Sequence, residues 1–192
     1  NTIAVIDAEG REWKAMSDGS LRDGAEFVTP ILKWENIELL QAVIRAIRTA
    51  GAKVDNSCGI HVHVCLGAHT PKTLRNLVNI VNAKEDLLTQ ALGISGERRD
   101  RWCQPVDPAF LDRLNRKKPK TLDAFAALWY GTSGWRYNAS QHYDPSRYRL
   151  LNLHAVWQKG TIEFRAFNGT LHAGEIKSYI QLCMAISHQA LT

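Results

Sequence analysis

Residues 59–66 read Gly-Ile-His-Val-His-Val-Cys-Leu, and their strict alternation describes a strand with two unlike faces. Side chains along a strand alternate with a period of two. His61, His63 and Cys65 therefore share one face, and Ile60, Val62, Val64 and Leu66 share the other. The apolar row can pack on helices while two imidazoles project from the opposite surface. Neutral imidazole is a common metal ligand and a ready proton carrier. Taken alone, the strand fits a site wall and a polar, water-facing surface equally well, because any half-buried strand alternates.

Working outward, residues 3–7 and 11–16 pattern as two strands joined by a turn at Ala8-Glu9-Gly10, and Ala25–Thr29 as a short strand stopped by Pro30. Ile37, Leu40, Val43, Ile44 and Ile47 form a helical stripe over 36–50, with Asn36 to cap it and Gly51 to end it. The histidine strand is expected over about 52–66, with a turn near Asn56. A second helix is expected from Pro71 to about Leu92, with Thr70 as cap and Gly93 after its end. Residues 94–120 are rich in charge and proline, with one short helix opening at Asp107-Pro108. Residues 121–130 read as helix, 131–146 as a long loop, 149–157 and 160–167 as a strand hairpin, and 173–190 as a last amphipathic helix. Mixed strands and helices without regular βαβ alternation predict an α+β fold, with a curved, mainly antiparallel sheet and helices packed on one face.

The chain has 192 residues, 45% hydrophobic and 22% charged, which suits one globular domain. No apolar run approaches the ~20 residues of a membrane span, and residues 1–30 lack the layout of a signal peptide. Cys58, Cys65, Cys103 and Cys183 are scattered without a Cys-x-x-Cys pair. That usage fits a reducing compartment, so a cytoplasmic location is expected. The net charge of +5 is concentrated in Arg98, Arg99 and Arg101, and in Arg113, Arg116, Lys117, Lys118 and Lys120. Such clusters suit phosphates or a solvated loop. The chain opens at Asn1 rather than a methionine, so trimming or a longer parent is expected.

Several segments share the architecture of the histidine strand. In Thr161-Ile162-Glu163-Phe164-Arg165-Ala166-Phe167, Glu163 and Arg165 share a face opposite Ile162, Phe164 and Ala166. The pair reads either as a surface ion pair or as a metal ligand beside a phosphate-binding cation. Asp18 and Glu26 supply further carboxylates, although each also suits a turn or a solvated strand. Arg147, Arg149 and Asn152 open the penultimate strand and could meet an anion. No Gly-x4-Gly-Lys-Ser/Thr loop, Gly-x-Gly-x-x-Gly turn, Gly-x-Ser-x-Gly elbow or His-Glu-x-x-His helix occurs. If ATP is handled, arginines and metals must hold its phosphates.

Together, residues 13–30, Cys58–Val64 and Arg147–Arg165, with the helix running on from Gly174-Glu175-Ile176, resemble the amidoligase family. These are carboxylate–amine ligases of the glutamine synthetase-like and gamma-glutamylcysteine ligase-like group. The resemblance spans roughly 11–66 and 146–187, and leaves 94–146 as a variable insertion in a single catalytic domain. It implies a glutamine synthetase catalytic-domain-like fold, with ATP and Mg²⁺ or Mn²⁺ as cofactors. His61 and Glu163 would be metal ligands, joined by Glu26 and Asp18, since glutamine synthetase has two metal-binding carboxylates eight positions apart. His63, Arg165, Arg147 and Asn152 would contact nucleotide or phosphate. Arg165, Arg149 and Glu26 would serve catalysis. The family's opening Gly-x-Glu-x-Glu strand has no match before Ser17. It is expected upstream, and a chain without it would bind metal weakly and turn over poorly.

The expected reaction is ATP-dependent amide or peptide bond formation through an acyl phosphate, on small-molecule or peptide carboxylate and amine substrates. Two other classes remain open from the residues. One is a zinc-dependent hydrolase built on His61, His63 and a carboxylate, although the chain is short for a His-x-His barrel enzyme. The other is a non-catalytic basic binding domain. The aromatics Trp135, Tyr137 and Tyr143 lie outside the basic clusters, which argues against nucleic acid. The resemblance also admits an oligomer, since glutamine synthetase itself forms rings.

Overall fold

Apolar periodicity and capping residues translate into helices and strands throughout residues 2–17 and 24–192, the part described by the structure, a computed structural model. Two compact units emerge. One contains residues 1–58 and 170–177; the other contains 59–169 and 178–192.

In the first unit, β1 (Thr2–Ile6), β2 (Glu12–Ser17) and β3 (Ala25–Val28) form an antiparallel sheet in that order. Asp7 builds the first turn. Its carboxylate accepts from the main-chain N–H groups of Glu9 and Arg11, the Arg11 guanidinium and the Trp13 indole. Those donors, the indole foremost, hold its pKa far below the usual carboxylate range. Gly10, at φ 77°, supplies the positive dihedral that closes the turn. Trp13 stacks on Phe27 across the sheet at 5.9 Å. Helix α1 (Ile37–Thr49) buries Leu40, Gln41 and Ile44, and the Gln41 amide donates to the carbonyl of Ala173.

The second unit is organised on an antiparallel sheet of β4 (Gly59–Cys65), β6 (Thr161–Asn168) and β5 (Leu151–Asn152), with β6 in the centre. Its apolar face carries Val62, Leu151, Ile162 and Phe164 into a core shared with the helical layer. Helix α2 (Pro71–Ala91) has Thr70 as its cap, accepting from Thr73 N at 3.3 Å, and Pro71 in its first turn. It buries Leu74, Leu77, Val78 and Val81, the i, i+3, i+4, i+7 stripe of a core-facing helix. Each fully buried aliphatic side chain contributes about 1.5–3 kcal/mol. The layer is completed by α3 (Gly96–Arg101), α4 (Pro108–Lys117), α5 (Leu122–Trp129), α6 (Trp135–Ser140), α7 (His154–Lys159) and the inner residues Cys183 and Ala190 of α8 (Ala173–Leu191).

The α+β class and the antiparallel pairing hold, but the strands divide into two three-stranded sheets rather than one. The expected strand at 149–157 is also corrected. Only Leu151 and Asn152 pair with β6, and α7 follows at once. The Asn152 side chain accepts the His154 N–H at 2.9 Å and turns the backbone into helix, and Gly160, at φ 67°, ends it. β5 and β6 are thus neighbours joined through a helix, not a hairpin. The expected turn near Asn56 is present, with Asp55 accepting from Ser57, but the histidine strand begins only after it, at Gly59, and is shorter than expected. The 131–146 loop contains α6, and 94–120 holds two helices rather than one.

Candidate active site on the histidine strand

Register brings the polar residues of three strands into line. His63 lies opposite Glu163 in the β4–β6 ladder, and Asn152 lies opposite Glu163 in the β5–β6 ladder. Between Ile60↔Phe167 and Val62↔Phe164 the register shifts by one residue. Arg165 and Ala166 of β6 therefore both oppose His61. Such a bulge bends its strand and re-aims the side chains beside it.

Glu163 is the hub. Its Oε1 accepts from Arg165 Nη1 at 2.9 Å and lies 3.3 Å from His61 Nδ1 and 3.6 Å from His63 Nε2. Its Oε2 accepts from Asn152 Nδ2 at 2.5 Å. Glu163, Arg165 and Asn152 are all buried. Burial by itself would raise the Glu163 pKa. The Arg165 charge, the two imidazoles and the Asn152 amide outweigh it and hold the carboxyl below its ordinary value.

Both imidazoles are hemmed in by protein yet keep about 30% of their side-chain surface open to solvent. Crowding by neighbouring atoms, with the Arg165 guanidinium next, pushes the His61 pKa down to about 3. His63 is lowered as well, by burial first and then by Lys159, Arg165 and Arg147, against the opposing pull of Glu163. Both rings are therefore neutral at pH 7. His63 Nδ1 pairs with Thr161 Oγ1 at 2.8 Å, which orients the other nitrogen toward Glu163.

The donor set is of a kind that holds a divalent cation in part. Two atoms bound to one cation at about 2.1 Å sit roughly 3 Å apart, and the His61–Glu163 separation of 3.3 Å is of that order. The number of donors falls short. Among the described residues, no group of three or more His, Cys, Asp or Glu side chains is arranged to hold a metal ion. His61 and Glu163, with His63 beside them, offer one wall of such a site.

A partly buried layer lies beside the hub. Tyr130 OH and His154 Nδ1 are 2.6 Å apart. Burial lowers the His154 pKa while Asp144 opposes it, and burial raises that of Tyr130. The Arg165 guanidinium stands over the Tyr148 ring at 5.8 Å. Arg98, 4% exposed, donates from Nη2 to the Arg165 carbonyl at 3.1 Å.

Of the residues proposed from sequence, His61, His63, Glu163, Arg165 and Asn152 come together. Arg147 is near enough for its charge to act on His63, and its Nη1 donates to the His142 carbonyl. Arg149 is placed elsewhere. It donates to the Pro105 carbonyl and lines a cavity of about 50 Å³ with Val78, Phe110, Trp129 and Leu151, residues of the apolar layer. Glu26 lies exposed on β3 in the first unit. Asp18 lies outside the described residues. Sequence reasoning missed Arg98, Tyr130 and His154. The run Asn152-Leu153-His154 could have flagged the last, but nothing local separates Arg98 from its neighbours Arg99 and Arg101.

A family model described as "Putative amidoligase enzyme" matches residues 1–187. No curated protein and no solved structure matches the chain.

Proposed function

The chain belongs to the amidoligase family, and from that premise we propose that it is an ATP-dependent ligase joining a carboxylate to an amine. The observation that carries this reading is Glu163, a buried carboxylate held at once by a guanidinium and an amide and faced by two neutral imidazoles.

In this reading a substrate carboxylate oxygen attacks the γ-phosphorus of ATP, and the bond to the ADP oxygen breaks. An amine then attacks the acyl phosphate and phosphate leaves. Catalysis of this kind is mostly positioning and neutralisation of developing charge. Arg165, fixed by Glu163 and Tyr148, supplies a pre-oriented cation. His61 and Glu163 would hold Mg²⁺ or Mn²⁺, which when bound offsets phosphate charge. Their neutral and anionic states at pH 7 leave lone pairs available for that purpose. His63, anchored by Thr161, would meet a phosphate oxygen. Further carboxylates are needed to complete the cation's coordination. A glutamine synthetase-like arrangement of the whole catalytic domain belongs to the same proposal.

Calorimetry with ATP and MgCl₂ tests it. The chain is expected to bind nucleotide in a metal-dependent manner, and Glu163→Gln and His61→Ala are expected to abolish binding while circular dichroism stays unchanged. Binding that persists undiminished in both variants would overturn the reading.

A further inference from the structure

The three neighbouring arginines of the 94–120 segment have different fates. Arg99 is half exposed and pairs with Asp86 at 2.8 Å, and Arg101 lies over the Trp102 ring. Arg98 is buried. It is held from several sides: Ser95 Oγ accepts its N–H, and its carbonyl accepts from the N–H groups of Trp102 and Cys103. Its side chain runs to the polar face of the β4–β6 pair, where Nη2 reaches the carbonyl of Arg165.

That carbonyl belongs to the bulge. The Arg165 N–H donates to the Leu150 carbonyl, but the Leu150 N–H goes to the Gln104 carbonyl instead of returning to Arg165, so the Arg165 carbonyl needs another partner. Arg98 supplies a donor there. The space for it exists because residue 59 has no side chain: a methyl group built on Gly59 would fall on the guanidinium, overlapping Cζ and both Nη atoms. Gly59 has a negative φ, so clearance rather than backbone freedom is what a glycine provides here. Gly59 and His61 are two residues apart on one strand and share a face.

We propose that Arg98 is a positioning residue of the site. Its guanidinium, admitted by Gly59, pins the β6 bulge at Arg165 and so sets where His61 stands relative to the Glu163–Arg165 pair. Segment 94–120 then belongs to the site's framework, and Gly59 and Arg98 act as one steric unit. Only the nucleotide arm of the test below rests on the ligase reading.

The test is a double-variant cycle on the full chain, using Gly59→Ala, Arg98→Gln and the combination, followed by thermal unfolding. Gly59→Ala is expected to lower the melting temperature by several degrees with Arg98 present and by little in the Arg98→Gln background. Equal losses in both backgrounds would overturn the steric unit. Arg98→Lys, which keeps stem and charge but loses the planar fork, is then examined by NMR of the histidine rings. The His61 and His63 ring resonances are expected to shift while those of His69 stay in place. Unmoved His61 and His63 resonances would overturn the positioning role. Mg-ATP affinity is expected to fall about tenfold in Arg98→Lys. If Glu163→Gln and His61→Ala both leave nucleotide binding intact, the ligase reading fails, and the cycle and the ring resonances still decide the role of Arg98.

Discussion

Asn152 and Glu163 lie directly opposite each other on neighbouring strands, and the amide of one donates to the carboxylate of the other. The same Asn152 side chain accepts the first N–H of α7 through its oxygen. One residue therefore starts a helix and holds the hub of the site, with both ends of its amide engaged.

Asn152→Ala should remove a hydrogen bond to a charged acceptor and the turn that opens α7. A loss of about 2 kcal/mol is expected by urea denaturation. Asn152→Asp should cost more at pH 7, since it sets a second carboxylate against Glu163 and raises the pKa of the pair. Relative to the wild type, that variant should regain stability as the pH falls to 5, and an unchanged difference from the wild type between the two pH values would count against the pairing.

Breaking the buried ion pair should be costly. Arg165→Met leaves Glu163 buried beside fewer compensating donors, and about 3–5 kcal/mol is expected. The double variant Glu163→Gln, Arg165→Met should be more stable than Arg165→Met alone, because no uncompensated charge remains. Equilibrium denaturation of the wild type and the variants decides this.

Acid should destabilise the fold through its histidines. His69 is buried between Thr73 and Ser187, and burial lowers its pKa from 6.5. Below that value the unfolded chain takes up a proton that the folded state resists, so stability is lost as the pH falls. Above about pH 7 both states carry neutral rings and the contribution is flat. His61, His63 and His154 act in the same direction. Melting temperatures between pH 8 and 5 should show the decline, and His69→Gln should make it shallower.

Gly160 closes α7 in the left-handed region with no atom within 4 Å of an added methyl group. Gly160→Ala should therefore cost about 1–2 kcal/mol from backbone strain alone, read as a lower urea midpoint with an unchanged slope.

What could be read from sequence follows a physical divide. The histidine strand and the Glu-x-Arg strand were legible because alternation is a local signal, and α2 because Thr70, Pro71 and Gly93 mark its ends locally. β5 was misread because Leu150-Leu151 looks like the start of a longer strand. The turn into helix depends on where one amide points, which periodicity does not encode. Arg98 was invisible for a related reason. Its burial is decided by Gly59, 39 positions away in the chain, and a run of arginines gives no sign of which one faces inward.

The central place of β6 also has a consequence in time. β4 appears early in the chain, and its partner strand appears about a hundred residues later. During synthesis, His61 and His63 exist for most of that interval on a strand with no neighbour in its sheet. β5 is likewise without a partner until residues 161–168 arrive to slot between them. Long-range pairing of this kind is slow and leaves unpaired edges exposed. The nascent protein therefore carries its histidines ahead of the carboxylate that organises them, and the site comes into being in one late step, when the last strand enters the middle of the sheet.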